Sequence, residues 1–273
     1  MRALAMLVAA VALTGCGGSS DDAIPNPVVV ASFYPLAWAA GELTDLPVRN
    51  LTAPGVEPHD LELSPRDVEL VRDANLVVYV GAGFQPAVED AVEGRSRTSF
   101  DVLGDDAEAD PHVWLDPARF ADIVSELGRA LGTAGSAREL EGELLLLDQQ
   151  FQSGLDHCDR RVLVTAHAAF GHLAERYGLT QLALTGTSPE AEPTPRDLER
   201  LVDEVKRSGA TTVFTEPLVS DRLAGTVARE AGVRVAALDP IEGLSEVRLA
   251  AGEDYLTVMR QNLVTLRKAL GCR

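Results

Sequence analysis

The feature that most constrains the fold is a repeated alternation of short apolar runs with strongly capped helical segments. Residues 28–33, 48–52, 76–80 and 99–103 read as strands in the first half of the chain, and 161–165, 179–184, 211–215 and 233–238 in the second. Short apolar runs alternating with helical patterns are the signature of a parallel sheet covered by helices, which serve as the crossovers. Ser64-Pro65-Arg66-Asp67 gives a helix start, with Ser as the N-cap, Pro in the first turn and Asp at the positive end of the helix. Thr194-Pro195-Arg196-Asp197 repeats the device before the strand at 211–215. The two halves are therefore expected to be built alike. A helix is also expected at 170–177, and a last one at 245–270.

Between the halves, residues 116–157 open with an Asp116-Pro117 cap and carry Phe120, Ile123, Val124, Leu127 and Leu131 at helical spacing. One long helix of roughly 60 Å is the expectation, at ~1.5 Å per residue, stiff enough to tie two lobes together. Two helices with a turn at 132–135, where Gly132 and Gly135 fall, are the alternative. The expected organisation is an N-terminal α/β lobe at 28–115, this linking helix at 116–157 and a C-terminal α/β lobe at 158–273.

Composition narrows the partners. The chain of 273 residues is 46% hydrophobic and 24% charged, a globular balance, and with aromatics at 5% its core must be filled mainly by Ala, Val and Leu. Lys and Arg number 24 against 42 Asp and Glu, for a net charge of −18. That field repels phosphate backbones, so no nucleic-acid partner is expected, and it favours cations.

The first residues read as a processing signal. Arg2 begins a weak basic region, and residues 3–13 are an apolar run too short for a bilayer that needs about 20. The run ends in Leu13-Thr14-Gly15-Cys16, which resembles the lipobox of bacterial lipoproteins, whose Cys is acylated as the first mature residue. The expectation is a signal peptide at 1–15, a lipidated Cys16, and a small, polar tether to residue 27. Export leaves Cys158 and Cys272 in a compartment where disulfides persist, and they are expected to pair. The rival, His157-Cys158 as half of a metal site, is disfavoured because adjacent side chains rarely converge on one ion.

Three of the five histidines stand in loops after strands or at the entrance to a helix. His59 lies in Gly55-Val56-Glu57-Pro58-His59-Asp60, His112 in Asp110-Pro111-His112-Val113-Trp114-Leu115-Asp116-Pro117, and His167 in Thr165-Ala166-His167-Ala168-Ala169-Phe170-Gly171. Asp239, in Leu238-Asp239-Pro240, follows the last strand. Loops at the carboxyl ends of parallel strands line the ligand crevice of open α/β sheets, so these side chains could converge. Three imidazoles and a carboxylate make a four-coordinate set suited to Zn²⁺. No short metal motif links them, and a histidine taken alone is more often a surface or core residue.

These segments, with Val30-Ala31-Ser32-Phe33-Tyr34-Pro35-Leu36 and Glu192-Pro193-Thr194-Pro195, resemble the zinc and manganese family of metal-binding solute-binding lipoproteins of bacterial ABC transporters, from Val28 to the C-terminus. The resemblance implies two α/β lobes, each a parallel sheet with flanking helices, joined by a rigid backbone helix with one metal in the cleft between them. His59 and His112 would come from the first lobe, His167 and Asp239 from the second. It implies an extracytoplasmic monomer, lipid-anchored to the cell membrane, that delivers Zn²⁺ to a membrane permease and is not an enzyme. His at the third position favours Zn²⁺, since harder ions take carboxylate more readily; a manganese or iron binder of the same family is the alternative. The stretch Asp105-Asp106-Ala107-Glu108-Ala109-Asp110 departs from the His-rich loop of many zinc members and reads as acidic, solvated surface. Glu57 and Glu216 are loop carboxylates, either of which could accept a hydrogen bond from a ligand imidazole. His172 reads as a packing or surface residue, and His157 as the end of the linking helix. A zinc hydrolase is the rival enzyme class, disfavoured by the proposed fourth ligand and by the lack of a His-Glu-x-x-His or Gly-x-Ser-x-Gly motif. A metal-stabilised adhesion lipoprotein is the third class.

Overall fold

The computed structural model describes residues 28–104, 110–189 and 194–273, so the signal, Cys16, the tether, the acidic segment 105–109 and Glu192-Pro193 lie outside the described residues. The strands are β1 (Val29–Ala31), β2 (Val48–Asn50), β3 (Leu76–Tyr79), β4 (Thr98–Asp101), β5 (Val162–Thr165), β6 (Thr180–Ala183), β7 (Thr212–Thr215) and β8 (Arg234–Ala237). They form two four-stranded sheets, ordered β2-β1-β3-β4 and β6-β5-β7-β8, with every pairing parallel. The two sheets repeat one topology, as the two halves of the sequence predict. In each, the strand order reverses beside the first strand, which opens a crevice at the carboxyl ends.

Helices cover both faces of each sheet: α1 (Tyr34–Leu43), α2 (Pro65–Asp73), α3 (Pro86–Val92), α4 (Pro117–Leu131), α5 (Ala134–Leu155), α6 (Gly171–Arg176), α7 (Pro195–Ser208), α8 (Arg222–Ala231), α9 (Glu246–Ala250) and α10 (Tyr255–Leu270). Both expected helix starts are capping boxes, Ser64 with Asp67 on α2 and Thr194 with Asp197 on α7. In the central strands β1, β3, β5 and β7 alternate residues face opposite ways and both sets are largely buried, which explains their apolar runs, whereas the edge strands β2, β4, β6 and β8 are largely half-buried or exposed. Val28, Val30 and Val77 pack with Val71 of α2 on one outer layer, and Val164 and Val213 with Val202 and Val205 of α7 on the other. The opposite faces, Val29, Ala31, Leu76 and Val78 of the first sheet and Leu163 and Phe214 of the second, belong to one core. Phe120 and Leu127 of α4, Leu144 and Phe151 of α5 and Met259 of α10 complete it.

The linker differs from the single helix expected over 116–157. Gly132 adopts φ 75°, a left-handed cap that ends α4, and α5 begins two residues later. A side chain at Gly128 would put its Cβ 2.3 Å from that of Ala137, so the two helices meet in close contact across the turn. The element that spans both lobes is α5, about 33 Å long at ~1.5 Å per residue, which packs on α1 of the first lobe and on α10. The last helix is also divided: α9 stops at Ala250, Gly252 takes φ 79°, and Asp254 caps α10 by accepting from the Thr257 N–H at 2.7 Å. Cys158 and Cys272 form the expected disulfide, joining the end of α5 to the end of α10. Among the described residues no helix is long and apolar enough to cross a membrane.

Candidate metal centre

Loops at the carboxyl ends of the strands bring His59, His112 and His167 together. His59 follows β2, His112 precedes a 3-10 turn (Val113–Leu115) that leads into α4, and His167 follows β5. The Nε2 atoms of His112 and His167 are 3.4 Å apart, and both rings are fully buried. The carboxylate that joins them is Glu242, whose Oε1 lies 3.5 Å from His59 Nε2, 3.4 Å from His112 Nε2 and 3.3 Å from His167 Nε2. One ligand atom from each of the four residues lies within 4.8 Å of every other.

Asp239, expected as the fourth ligand, is not in this group. Its Oδ2 is held by the Arg248 guanidinium at 2.6 Å, and its Oδ1 accepts the Ile241 N–H at 2.7 Å. Asn262 brackets it from behind, accepting from the Asp239 N–H and donating to its carbonyl. With its oxygens spent on the turn and on Arg248, Asp239 shapes the loop. Ile241, at φ 58°, takes a left-handed conformation rare for a β-branched residue and sends Glu242 towards the histidines. The signal available in the sequence was a second carboxylate three residues beyond Asp239, before Gly243.

The separations around Glu242 Oε1 discriminate between two kinds of site. They exceed the usual 2.7–3.2 Å of a hydrogen bond, and Glu242 Oε1 and His59 Nε2 are buried atoms without a hydrogen-bond partner. A tetrahedron with metal bonds of about 2.0–2.1 Å has edges of about 3.3–3.4 Å. Four of the six donor–donor separations, 3.3–3.5 Å, match such edges, and the two from His59 to the other imidazoles lie within 4.8 Å, so the four donors are grouped closely enough to surround one cation.

Carboxylates fix two of the rings from behind. Asp110 Oδ1 lies 2.6 Å from His112 Nδ1 and also accepts the His112 backbone N–H at 3.1 Å. Asp110, expected as solvated surface, thus serves the site. Glu216, directly after β7, places Oε2 2.6 Å from His167 Nδ1 and accepts the His167 backbone N–H on Oε1 at 3.1 Å. Glu57 touches no imidazole by hydrogen bond; its Oε1 accepts the His59 backbone N–H at 3.1 Å. Behind that loop, the buried Gln85 amide donates to the Pro58 carbonyl at 3.1 Å.

The electrostatics follow from burial and from these pairs. Burial opposes a charged His167, but the hydrogen bond to Glu216 and the negative charge of nearby Glu242 outweigh it and raise its pKa to about 10. His112 is raised against the same opposing burial by Asp110 and Glu242. Glu242 is fully buried, which would raise it, yet the three imidazoles hold it well below the usual carboxylate range. Glu57 is pushed up to about 8 by burial and then by the Glu242 charge. In the metal-free protein the site thus pairs the buried carboxylate of Glu242 with imidazoles at positions 112 and 167 whose pKa values are raised.

The remaining histidines stay outside it. His172 on α6 has Nε2 2.8 Å from the Asp110 carbonyl and packs by Arg119, a packing role as expected. His157 is exposed beside Asp156, just past α5, and Cys158 is engaged with Cys272. The lobes are bound together beside the site: the Trp114 indole donates to the Pro240 carbonyl at 2.7 Å, and the Tyr255 hydroxyl donates to the Trp114 carbonyl.

Residues 29–269 match the family described as "Zinc-uptake complex component A periplasmic". The zinc-binding protein AdcA of Streptococcus pyogenes serotype M6 is 33% identical over 88% of this chain, and the match covers 55% of that protein. The chain thus spans about half the length of such relatives. The high-affinity zinc uptake system protein ZnuA of Bacillus subtilis is 28% identical, over 97% of this chain and 94% of its own. Among solved structures, the Zn(II)-bound ZnuA-like domain of Streptococcus pneumoniae AdcA superposes with a TM-score of 0.74 at 32% identity, covering 89% of this chain and 98% of that one.

Proposed function

From the premise that this chain belongs to the family of periplasmic A components of zinc-uptake complexes, we propose that it captures Zn²⁺ outside the cytoplasmic membrane and hands it to a membrane permease driven by a cytoplasmic ATPase. The ion is cargo, held by His59, His112 and His167 through Nε2 and by Glu242 through Oε1. The observation that carries this reading is the buried Glu242 oxygen, without a hydrogen-bond partner, at 3.3–3.5 Å from three imidazole nitrogens. Three nitrogens and one oxygen in a closed four-donor shell favour Zn²⁺ over Mn²⁺, which is better served by more oxygen donors. A closed shell also leaves no position for the water that a hydrolytic zinc needs.

Capture is an exchange of cation for protons. His112 and His167 give up Nε2 protons as the ion arrives, while Asp110 and Glu216 keep the Nδ1 protons and hold the rings in place. Before that exchange, the negative Glu242 and the anionic surface draw cations towards the crevice. The chain divides on this reading into a signal at 1–15, a lipid anchor on Cys16, a tether to 27, two lobes at 28–115 and 158–273, and the α4–α5 hairpin between them.

Metal analysis of protein purified without added metal, followed by competition among Zn²⁺, Mn²⁺ and Fe²⁺, tests the cargo. Retention of Zn²⁺ is expected, and equal retention of Mn²⁺ would overturn the choice. Cys16→Ala should release the protein from the membrane fraction or block its maturation; continued membrane association would remove the anchor.

A further inference from the structure

We propose that Glu216 is a positioning residue that sets which nitrogen of His167 faces the metal, by a two-oxygen grip that Asp110 does not have on His112. This rests on the ligand set proposed above. A neutral imidazole carries one N–H, and the hydrogen bond made by one nitrogen decides the state of the other. His167 presents Nε2 to Glu242 Oε1 at 3.3 Å and to His112 Nε2 at 3.4 Å, so it can bind a cation there only if Nδ1 keeps the proton.

Glu216 enforces that state with separate atoms. Its Oε1 accepts the His167 backbone N–H at 3.1 Å and its Oε2 sits 2.6 Å from Nδ1. The residue is buried, and these are its two hydrogen bonds. An ionised carboxylate only accepts, so both atoms facing it must be donors. The backbone N–H is always a donor. A Gln at this position has one oxygen and one NH₂, and the oxygen must stay on the backbone N–H. The NH₂ then faces Nδ1, turns it into an acceptor and moves the ring proton to Nε2, where it blocks the metal.

The geometry at His112 differs in one respect. Asp110 uses the same oxygen, Oδ1, for both the His112 backbone N–H at 3.1 Å and Nδ1 at 2.6 Å. An Asn at 110 keeps that oxygen where it is, and the Nδ1 proton with it. Two substitutions of one kind, carboxylate to amide, should therefore give opposite results.

The test is ¹⁵N NMR of histidine-labelled, metal-free full-length protein, titrated to the pH at which each ring carries a single proton and read at the Nδ1 atoms of His112 and His167, with zinc affinity measured beside it by chelator competition. Both Nδ1 atoms are expected to be protonated in the wild type. In Glu216→Gln the His167 Nδ1 should become unprotonated, with a loss of zinc affinity towards the upper end of the roughly 10–100-fold seen when outer partners of metal ligands are lost. Asp110→Asn should keep its Nδ1 proton and lose affinity only a few-fold. An unprotonated His167 Nδ1 in the wild type overturns the proposal without recourse to a variant, and equal losses in the two variants overturn it as well. Wild-type protein with both Nδ1 protons in place that fails to hold zinc would overturn the cargo assignment instead.

Discussion

Arg248 holds Asp239 in an ion pair of 2.6 Å, and the turn that this pair anchors carries Glu242 to the three histidines. The first prediction separates the two carboxylates. Glu242→Ala removes a corner of the donor set and should weaken zinc binding by more than the roughly 10–100-fold typical of an outer partner. Asp239→Ala should cost stability, because it leaves the Ile241 N–H without its acceptor and Arg248 with Glu253 alone, and should reduce zinc affinity less than Glu242→Ala does. Chelator competition and thermal melts on both variants would decide; a larger affinity loss at Asp239 would reverse the assignment.

What was legible in the sequence and what was not divides at this loop. The eight strands and both capping boxes were readable because their causes are local: apolar runs, and a Ser or Thr three residues before an Asp. Loop positions allowed His59, His112 and His167 to converge at the carboxyl edge of the sheets, but it was the family resemblance of their segments that singled them out. The choice between Asp239 and Glu242 was not, since it depends on Arg248 and Asn262 reaching back and on the positive φ of Ile241. Asp110 looked like the end of an acidic, solvated stretch until the fold set it behind His112. The break at Gly132 was open in the sequence, because a glycine in a helical pattern is compatible with both continuation and a left-handed cap.

Acidity should act on the metal-free and metal-loaded forms in opposite senses. His167 is raised to about 10 in the folded metal-free protein, against ~6.5 for a free imidazole. Its protonation therefore contributes stability that is fully present below pH ~6.5 and is lost as pH rises through about 10. Zinc must displace that proton, so affinity should keep rising with pH well past 6.5 and flatten only towards 10. Melts of both forms and zinc affinities between pH 6 and 9.5 would check this. Zinc affinity that levels off at pH 7 would contradict it.

The disulfide lies at the amino ends of the strands, on the opposite edge from the histidines, since Cys158 precedes β5 while His167 follows it. Cys158→Ser with Cys272→Ser should lower the melting temperature, by a loss of up to roughly 4–5 kcal/mol if loop entropy dominates. Zinc affinity at a temperature where the variant is folded should stay within a few-fold of the wild type. A collapse of affinity without unfolding would place the bond in the function of the site.

Trp114 joins the two lobes through a side chain that is fully buried and hydrogen-bonded. Trp114→Phe keeps most of the ring packing against Phe33 and Phe84 but leaves the Pro240 carbonyl without its donor. A cost of about 1–3 kcal/mol is expected from the orphaned group, seen as a shift in denaturant midpoint. Weaker zinc binding should accompany it, because Pro240 lies two residues before Glu242. An unchanged midpoint would mean that the bond contributes nothing to joining the lobes.

The single core beneath both sheets has a further consequence for how the chain comes apart. Residues from β1 and β3 share an interior with β5 and β7 through α4, α5 and α10. A fragment carrying either half alone would expose that apolar flank to water, and would be a poor candidate for separate expression. Heating should melt the protein in one transition. The two sheets repeat each other in topology, but they are not independent modules: each has a smaller cluster of its own on its outer face, while the largest cluster is shared between them.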